Sequence, residues 1–317
     1  MELRNLGTSG LRVSAVGLGC NNFGVRLDSE ASRAGSDTAI DAGITFFDPA
    51  DMYGGRGGSE TVMGEILGAR RKDIVLATKF GMAMDDEGVK KGASRRYIMS
   101  AVDASLTRLK TDWIDLYQLH RPDPLTPIEE TLRALEDLMR DGKVRYIGCS
   151  NLPAWQVVDA HWTALKTGSF PFVSCQDEYS LVVREIENEL IPATQHYGMG
   201  LLPFFPLACG LLTGKYRKGE AMPEGARITS AKRHADRYLT TRNWQIVEGL
   251  RAYAEQRGHT LLELAFSWLA CREPVSSVIA GAMKPEQVRQ NVTAINWDLT
   301  NEDLAAIDQI CGIEAGI

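Results

Sequence analysis

The chain has 317 residues, and its 41 acidic side chains outnumber its 35 basic ones, for a formal charge of −6. That balance argues against a nucleic-acid protein, which presents a basic face. A composition 44% hydrophobic and 24% charged excludes wholesale disorder. The longest stretch without Asp, Glu, Lys, Arg or His, Tyr197–Gly214, carries two prolines and four glycines. It therefore reads as a buried strand and a glycine-rich loop, not a membrane span. The opening MELRNLGTSG has no apolar core of a signal peptide. The six cysteines include no Cys-x-x-Cys pair, so neither a metal nor a dithiol motif is expected, and a reducing cytoplasm is the expected compartment.

Along the chain, short β-rich runs alternate with helical periodicity. Leu3–Val13, with its Thr-Ser-Gly turn, predicts a small hairpin across the floor of the fold. Candidate strands follow at Val13–Gly19, Thr45–Asp48, Asp73–Lys79, Trp113–His120, Val144–Ser150, Phe172–Gln176, Gly200–Phe204 and Ser276–Ala280. Candidate helices lie near 29–42, 59–69, 95–109, 127–141, 153–167, 186–197, 242–257 and 285–294. Ser94 is placed to cap one helix, Thr126-Pro127 to open the next with Pro at its first position, and Gly142 and Gly168 to end two others. The strands are continuously apolar, as in a parallel sheet covered on both faces. Eight βα units predict a single-domain α/β fold over 1–317, a (β/α)8 barrel, with an open doubly wound sheet as the alternative. The long interval before the eighth strand holds a loop, Gly210–Thr241, and a second apolar helix, Thr260–Ala270. Asn301–Cys311 reads as an extra terminal helix.

In such a barrel the active site lies at the C-terminal strand ends. There the sequence delivers Asp48, Lys79 and His120 from three adjacent strands, with Tyr53 in the loop after the first. A buried Lys and Asp on neighbouring strands are expected to pair. A Lys ammonium beside a Tyr hydroxyl is expected to lower the phenol pKa from about 10 toward working pH. A phenol so tuned is a general acid for a carbonyl oxygen, and a nearby His can orient that oxygen or share the proton. Something else must then add to carbon, and in a site without a metal motif the expectation is a hydride from a nicotinamide. Gly17-Leu18-Gly19 lacks the third glycine of the dinucleotide fingerprint, and Gly210–Tyr216 lacks P-loop spacing.

With these residues in hand the chain resembles the aldo-keto reductase family over essentially its whole length. The matching segments are Asp48-x-Ala50-x-x-Tyr53-Gly54 with Gly58-Ser59-Glu60, Ala77-Thr78-Lys79, Leu119-His120-Arg121-Pro122-Asp123, Gly142–Gly148 leading to Ser150-Asn151, and Gly210–Tyr216. The resemblance implies a catalytic tetrad of Asp48, Tyr53, Lys79 and His120, with Tyr53 the proton donor, and no metal. It implies cofactor contacts from Gly19, Asn21 and Asp48, and a carboxamide held by Ser150, Asn151 and Gln176. Phe204 would stack on the nicotinamide. Pro206, Leu207, Gly210, Leu211, Gly214 and Lys215 would fold over the pyrophosphate, and Gly281, Lys284, Gln287 and Asn291 would meet the adenosine end.

Phe205 stands where a small hydroxyl residue is common, which removes one pyrophosphate contact. Asp177 replaces an Asn. Gln287 and Gln290 stand where relatives carry Arg and Glu, which leaves Lys284 to meet a 2′-phosphate. NADP(H) is the expected cofactor, with NAD(H) the alternative. The expected reaction reduces a small aldehyde or ketone to an alcohol, without nucleic-acid or membrane partners. An NAD(P)-dependent sugar or secondary-alcohol dehydrogenase is one alternative. A redox-sensing subunit like the channel-associated β subunits of the resembling family is another. Substrate choice is expected from the Asn21-Asn22-Phe23 loop, the Phe80–Lys91 loop and the insertion around Glu220–Arg237.

Overall fold

The computed structural model describes residues 1–313 apart from Glu224, Ala226, Ser230 and Ala231. Among the described residues ten strands run in chain order: β1 Leu3–Asn5, β2 Arg12–Ser14, β3 Val16–Gly19, β4 Phe46–Asp48, β5 Val75–Phe80, β6 Ile114–Leu119, β7 Val144–Ser150, β8 Ser174–Glu178, β9 Gly200–Phe204 and β10 Val278–Ala280. β1 and β2 pair antiparallel, which is the expected hairpin. The other eight form one parallel sheet in the order β10-β3-β4-β5-β6-β7-β8-β9. Leu201 on β9 bridges to Val275, just before β10, through Leu201 N–H to Pro274 O (2.6 Å) and Ser276 N–H to Leu201 O (3.0 Å). The sheet thus closes into the expected (β/α)8 barrel.

Helices α1 Ser29–Asp41, α2 Tyr53–Arg56, α3 Gly58–Ile66, α4 Arg95–Leu109, α5 Ile128–Arg140, α6 Ala154–Thr167 and α7 Leu190–His196 return the chain between strands. Between β9 and β10 come α8 Lys232–Tyr238, α9 Thr241–Gln256 and α10 Leu261–Ala270; α11 Pro285–Thr293 and α12 Asn301–Cys311 follow β10. Local chemistry sets many of the ends. The Ser94 hydroxyl accepts from Tyr97 N–H at the start of α4, and Gly168 closes α6 at φ 72°. Thr260 and Thr300 form capping boxes with Glu263 and Asp303.

Several boundaries differ from the sequence reading, each for a physical reason. The first predicted strand divides at Ala15, whose N–H bonds Glu2 O in the hairpin while its carbonyl accepts from Val278 in the barrel. Pro127 caps α5 from outside and is not its first residue, because its ψ of 136° is extended and not helical. Gly68, at φ 47°, stops the helix predicted to reach 69. The helix predicted from 186 begins at Leu190, since Pro192 lacks an N–H and is tolerated only in a first turn. β8 runs to Glu178, beyond its apolar stretch, because Asp177 and Glu178 pair with Pro203 and Phe204 of β9. The predicted loop Gly210–Thr241 holds a 3-10 turn at Ala208–Thr213 and α8. Its residues Glu224, Ala226, Ser230 and Ala231 lie outside the described set, as do residues 314–317.

The barrel interior is layered. Phe46, Ala77, Leu116, Leu202 and Ile279, from five strands, form one apolar plug with Leu6 and Val13 of the hairpin beneath. A strand repeats its facing every two residues, rising roughly 7 Å. The next inward position on three of those strands is Asp48, Lys79 and Gln118, so the apolar layer gives way to a polar one on the side of the strand C-termini.

Candidate functional site

The polar layer is a network without a loose end at its centre. Lys79, 0% exposed, places Nζ 2.6 Å from Asp48 Oδ2 and 3.2 Å from Pro49 O. The other carboxylate oxygen of Asp48 accepts from Gln118 Nε2 and Gln176 Nε2, both at 3.2 Å. A buried ion pair persists only when its remaining hydrogen-bonding positions are filled, and Gln118 and Gln176 fill them. Gly148 makes room for this layer, because a Cβ there would sit 2.4 Å from Ser174 Oγ and 3.3 Å from Gln118 Cγ.

Tyr53 lies above the pair. Lys79 Nζ is 5.1 Å from its ring centroid, and the His120 ring meets it edge-on at 5.6 Å. The loop that carries Tyr53 is fixed by Gly54, which has φ 73°; a Cβ there would lie 2.3 Å from Ser59 N. His120 follows β6, with its N–H on Phe80 O, and its Nδ1 is buried without a partner. Asn151, left-handed at φ 59°, donates to His120 O and to Ser150 Oγ. The structure therefore brings Asp48, Tyr53, Lys79 and His120 together at one rim, as the sequence reading requires.

The electrostatics correct that reading in one respect. Burial pushes the Tyr53 phenol above its ordinary pKa, and the neighbouring Lys79 charge only partly opposes it. Burial disfavours the Lys79 ammonium, but Asp48 and Tyr53 outweigh that and hold its pKa above the usual value. His120 is pushed down to about 3 by burial and by the charges of Lys79 and Arg121, so its imidazole is neutral. Asp51, behind the rim, is driven up to about 8 by burial and by Glu60, and neither of its carboxyl oxygens has a partner.

A cavity of about 870 Å³ opens from this rim. Gly19, Asn21, Asp48, Ser150, Asn151, Gln176, Phe204, Pro206, Leu207, Gly210, Lys215, Gly281, Lys284, Gln287 and Asn291 line it, as do Tyr53 and His120. Lys79 lies beneath its floor. Two expected cofactor residues are absent from the wall. Cys209 and Gly210 adopt left-handed angles inside the 3-10 turn, which turns Leu211 into the core at 0% exposure and leaves Gly214 as the turn's cap at φ 84°. The wall fits a dinucleotide. Asn21 Oδ1 and Asn22 Oδ1 are buried without partners, and a Cβ on Gly281 would meet Asn22 Nδ2 at 3.4 Å and Asn21 Oδ1 at 3.5 Å. Gln287 Oε1 accepts from Met283 N–H at the start of α11, a helix end suited to an anion.

Sequence reasoning missed several groups. Gln118 was detectable, because it pairs in register with Lys79 and shares its facing. Arg26, Arg121, Arg227 and Arg233 also line the cavity, so its wall is basic in an acidic chain. Arg26 and Arg121 come from loops whose path no periodicity reveals, and Arg227 and Arg233 from a 3-10 turn and α8 inside the segment predicted as loop. Among the described residues, no three His, Cys, Asp or Glu side chains are grouped to hold a metal ion. No helix there is long and apolar enough to cross a membrane.

A family model described as the Aldo/keto reductase family matches residues 15–311. The chain belongs to the aldo/keto reductase family. It is 39% identical over 306 residues to a probable voltage-gated potassium channel subunit beta of Oryza sativa subsp. japonica, covering 93% of this chain and 92% of that one. It is 36% identical to an L-glyceraldehyde 3-phosphate reductase of Escherichia coli O157:H7, over 98% of this chain and 92% of that one. An oxidoreductase of Bacillus subtilis strain 168, YrpG, is 37% identical over 98% of this chain and 96% of its own. This aldo/keto reductase is accordingly an NAD(P)H-dependent oxidoreductase that acts on small-molecule carbonyl compounds.

Proposed function

We propose that this chain reduces an aldehyde or ketone to an alcohol with NADPH, with Tyr53 as the proton donor. The observation that carries the reading is the Lys79–Asp48 pair locked beneath Tyr53, with neutral His120 at its edge. The hydride that reaches the carbonyl carbon is what a bound nicotinamide supplies. Because burial raises the Tyr53 pKa, the phenol is protonated at neutral pH and has a proton to give. The phenolate left behind sits beside the Lys79 ammonium, whose charge is fixed by Asp48. Neutral His120 can donate an N–H to the carbonyl oxygen and orient it. Its imidazolium form, which could transfer a proton outright, is populated only near pH 3 and below.

Ser150, Asn151 and Gln176 would hold the carboxamide, Phe204 would offer a ring face, and Lys215 would meet the pyrophosphate. Lys284 at the start of α11 supports NADP(H) over NAD(H), as a cation beside a helix N-terminus.

The test follows NADPH and NADH consumption over a panel of aldehydes and ketones, with cofactor binding measured separately. Tyr53→Phe is expected to lose about a hundredfold or more in kcat with cofactor affinity unchanged. Unchanged turnover would remove Tyr53 from the role. The rice relative's name favours a second reading, an accessory subunit that holds cofactor. NADPH binding without turnover of any carbonyl, and without oxidation of sugars or secondary alcohols, would move the weight to it.

A further inference from the structure

Helix α6 carries an outer face that nothing among the described residues covers. Trp155 is 65% exposed, Trp162 57%, Leu165 52% and Phe170 50%. Trp155, Asp159, Trp162 and Lys166 are spaced by four, three and four residues, which puts them on one stripe of the helix. The two tryptophans lie two turns apart, about 10 Å along the axis. Trp162 is held in place: its Nε1 donates to Tyr197 Oη at 3.0 Å, and the His161 ring packs on Tyr197 at 4.4 Å. Asp159 and Lys166 are exposed, and among the described residues neither makes an ion pair. Four large apolar side chains at least half exposed offer about 400 Å² of apolar surface, within the size range of the largest patch on a monomer, which is often functional.

We propose that this face pairs two copies of the chain, α6 against α6, antiparallel about a two-fold axis. The charge order selects the occupant. A two-fold axis between Trp162 and Thr163 sets Asp159 of each copy opposite Lys166 of the other. The same operation brings Trp155 of one copy to the Phe170 end of the other and seats the two Trp162 indoles beside the axis. A surface of this kind is complementary to itself, as an isologous interface must be. A parallel arrangement would set Asp159 against Asp159. The four apolar side chains supply about half of the roughly 800 Å² per partner that a stable dimer needs, and the polar rim of α6 supplies the remainder. The contact lies on the outer wall of the barrel, so the cavity at the strand ends stays open.

Sedimentation velocity of the full chain across a wide concentration range tests the proposal. The wild type is expected to dimerise. Trp162→Glu is expected to raise the dimer dissociation constant about thirtyfold or more, as for a central aromatic anchor, with its circular dichroism and melting temperature unchanged. Asp159→Lys and Lys166→Asp should each weaken the dimer by about tenfold, and the double exchange should restore it. Three results would overturn the proposal: a wild type that stays monomeric throughout, which leaves the face to a different protein; a dimer indifferent to Trp162→Glu; or a double exchange that fails to restore pairing.

Discussion

Two parts of the molecule wall one cavity by different means. The strand-end layer of Asp48, Lys79, Gln118 and Gln176 is buried, mutually bonded and set by sheet register. The described part of the chain after β9, from Phe205 through α8, is built from short turns that bury Leu211, Leu212, Tyr216, Ile228 and Tyr238 in the core and tie Arg237 and Tyr238 to the Glu178 carboxylate. It also carries three consecutive sites of unusual backbone, Ala208, Cys209 and Gly210 at positive φ. The difference assigns the tasks. The layer fixes its charges by strand register, whereas the covering segment brings basic side chains, Arg227 and Arg233 among them, to the cavity wall from a short turn and α8.

That contrast can be broken at its strong side first. Lys79→Met leaves Asp48 charged and buried with only amide partners, and is expected to cost about 3–5 kcal/mol in denaturant unfolding as well as turnover. Gly54→Ala comes next. The added Cβ meets Ser59 N, and φ 73° disfavours any side chain, so a loss of about 2 kcal/mol is expected, together with a fall in kcat as Tyr53 shifts. On the covering side, Lys215→Met should weaken NADPH binding by about tenfold and leave the melting temperature within about a degree. Lys284→Met should weaken NADPH alone, with NADH affinity unchanged in the same titration.

The smallest effect sharpens the comparison through pH. Asp51 has its folded pKa raised to about 8, so the folded state binds a proton that the unfolded state has released, and stability falls as pH rises toward 8. Neither Asp51 oxygen has a partner to lose. Asp51→Asn should therefore match the wild type in melting temperature near pH 4 and gain a few degrees by pH 8. A gain of equal size at both pH values would refute the assignment.

The strong side was the legible one. Asp48, Lys79 and His120 could be placed from sequence because strand parity and strand ends are fixed by apolar continuity, and the short loop to Tyr53 leaves little freedom. The covering segment has no such periodicity. Leu211 reads like its neighbours in sequence, and only the left-handed angles at Cys209 and Gly210 decide that it turns inward. Arg26 and Arg121 reach the cavity from loops for the same reason. The sign of the Tyr53 shift was misjudged because proximity to a cation is visible in a motif, whereas the extent of burial that opposes it is a property of the folded whole.

The hairpin and the sheet closure bear on how the chain emerges from the ribosome. Val16, Gly17 and Leu18 are made 262 residues before their neighbours on one side, Val278, Ile279 and Ala280. Arg4 likewise waits for the carbonyls of Ala270 and Val275, at 2.6 and 3.2 Å. Throughout synthesis β3 therefore keeps one edge without its partner, a state open to pairing with other chains. A chain interrupted before residue 275 cannot join β9 to β10, and the growing protein stays dependent on protection until that segment has been translated.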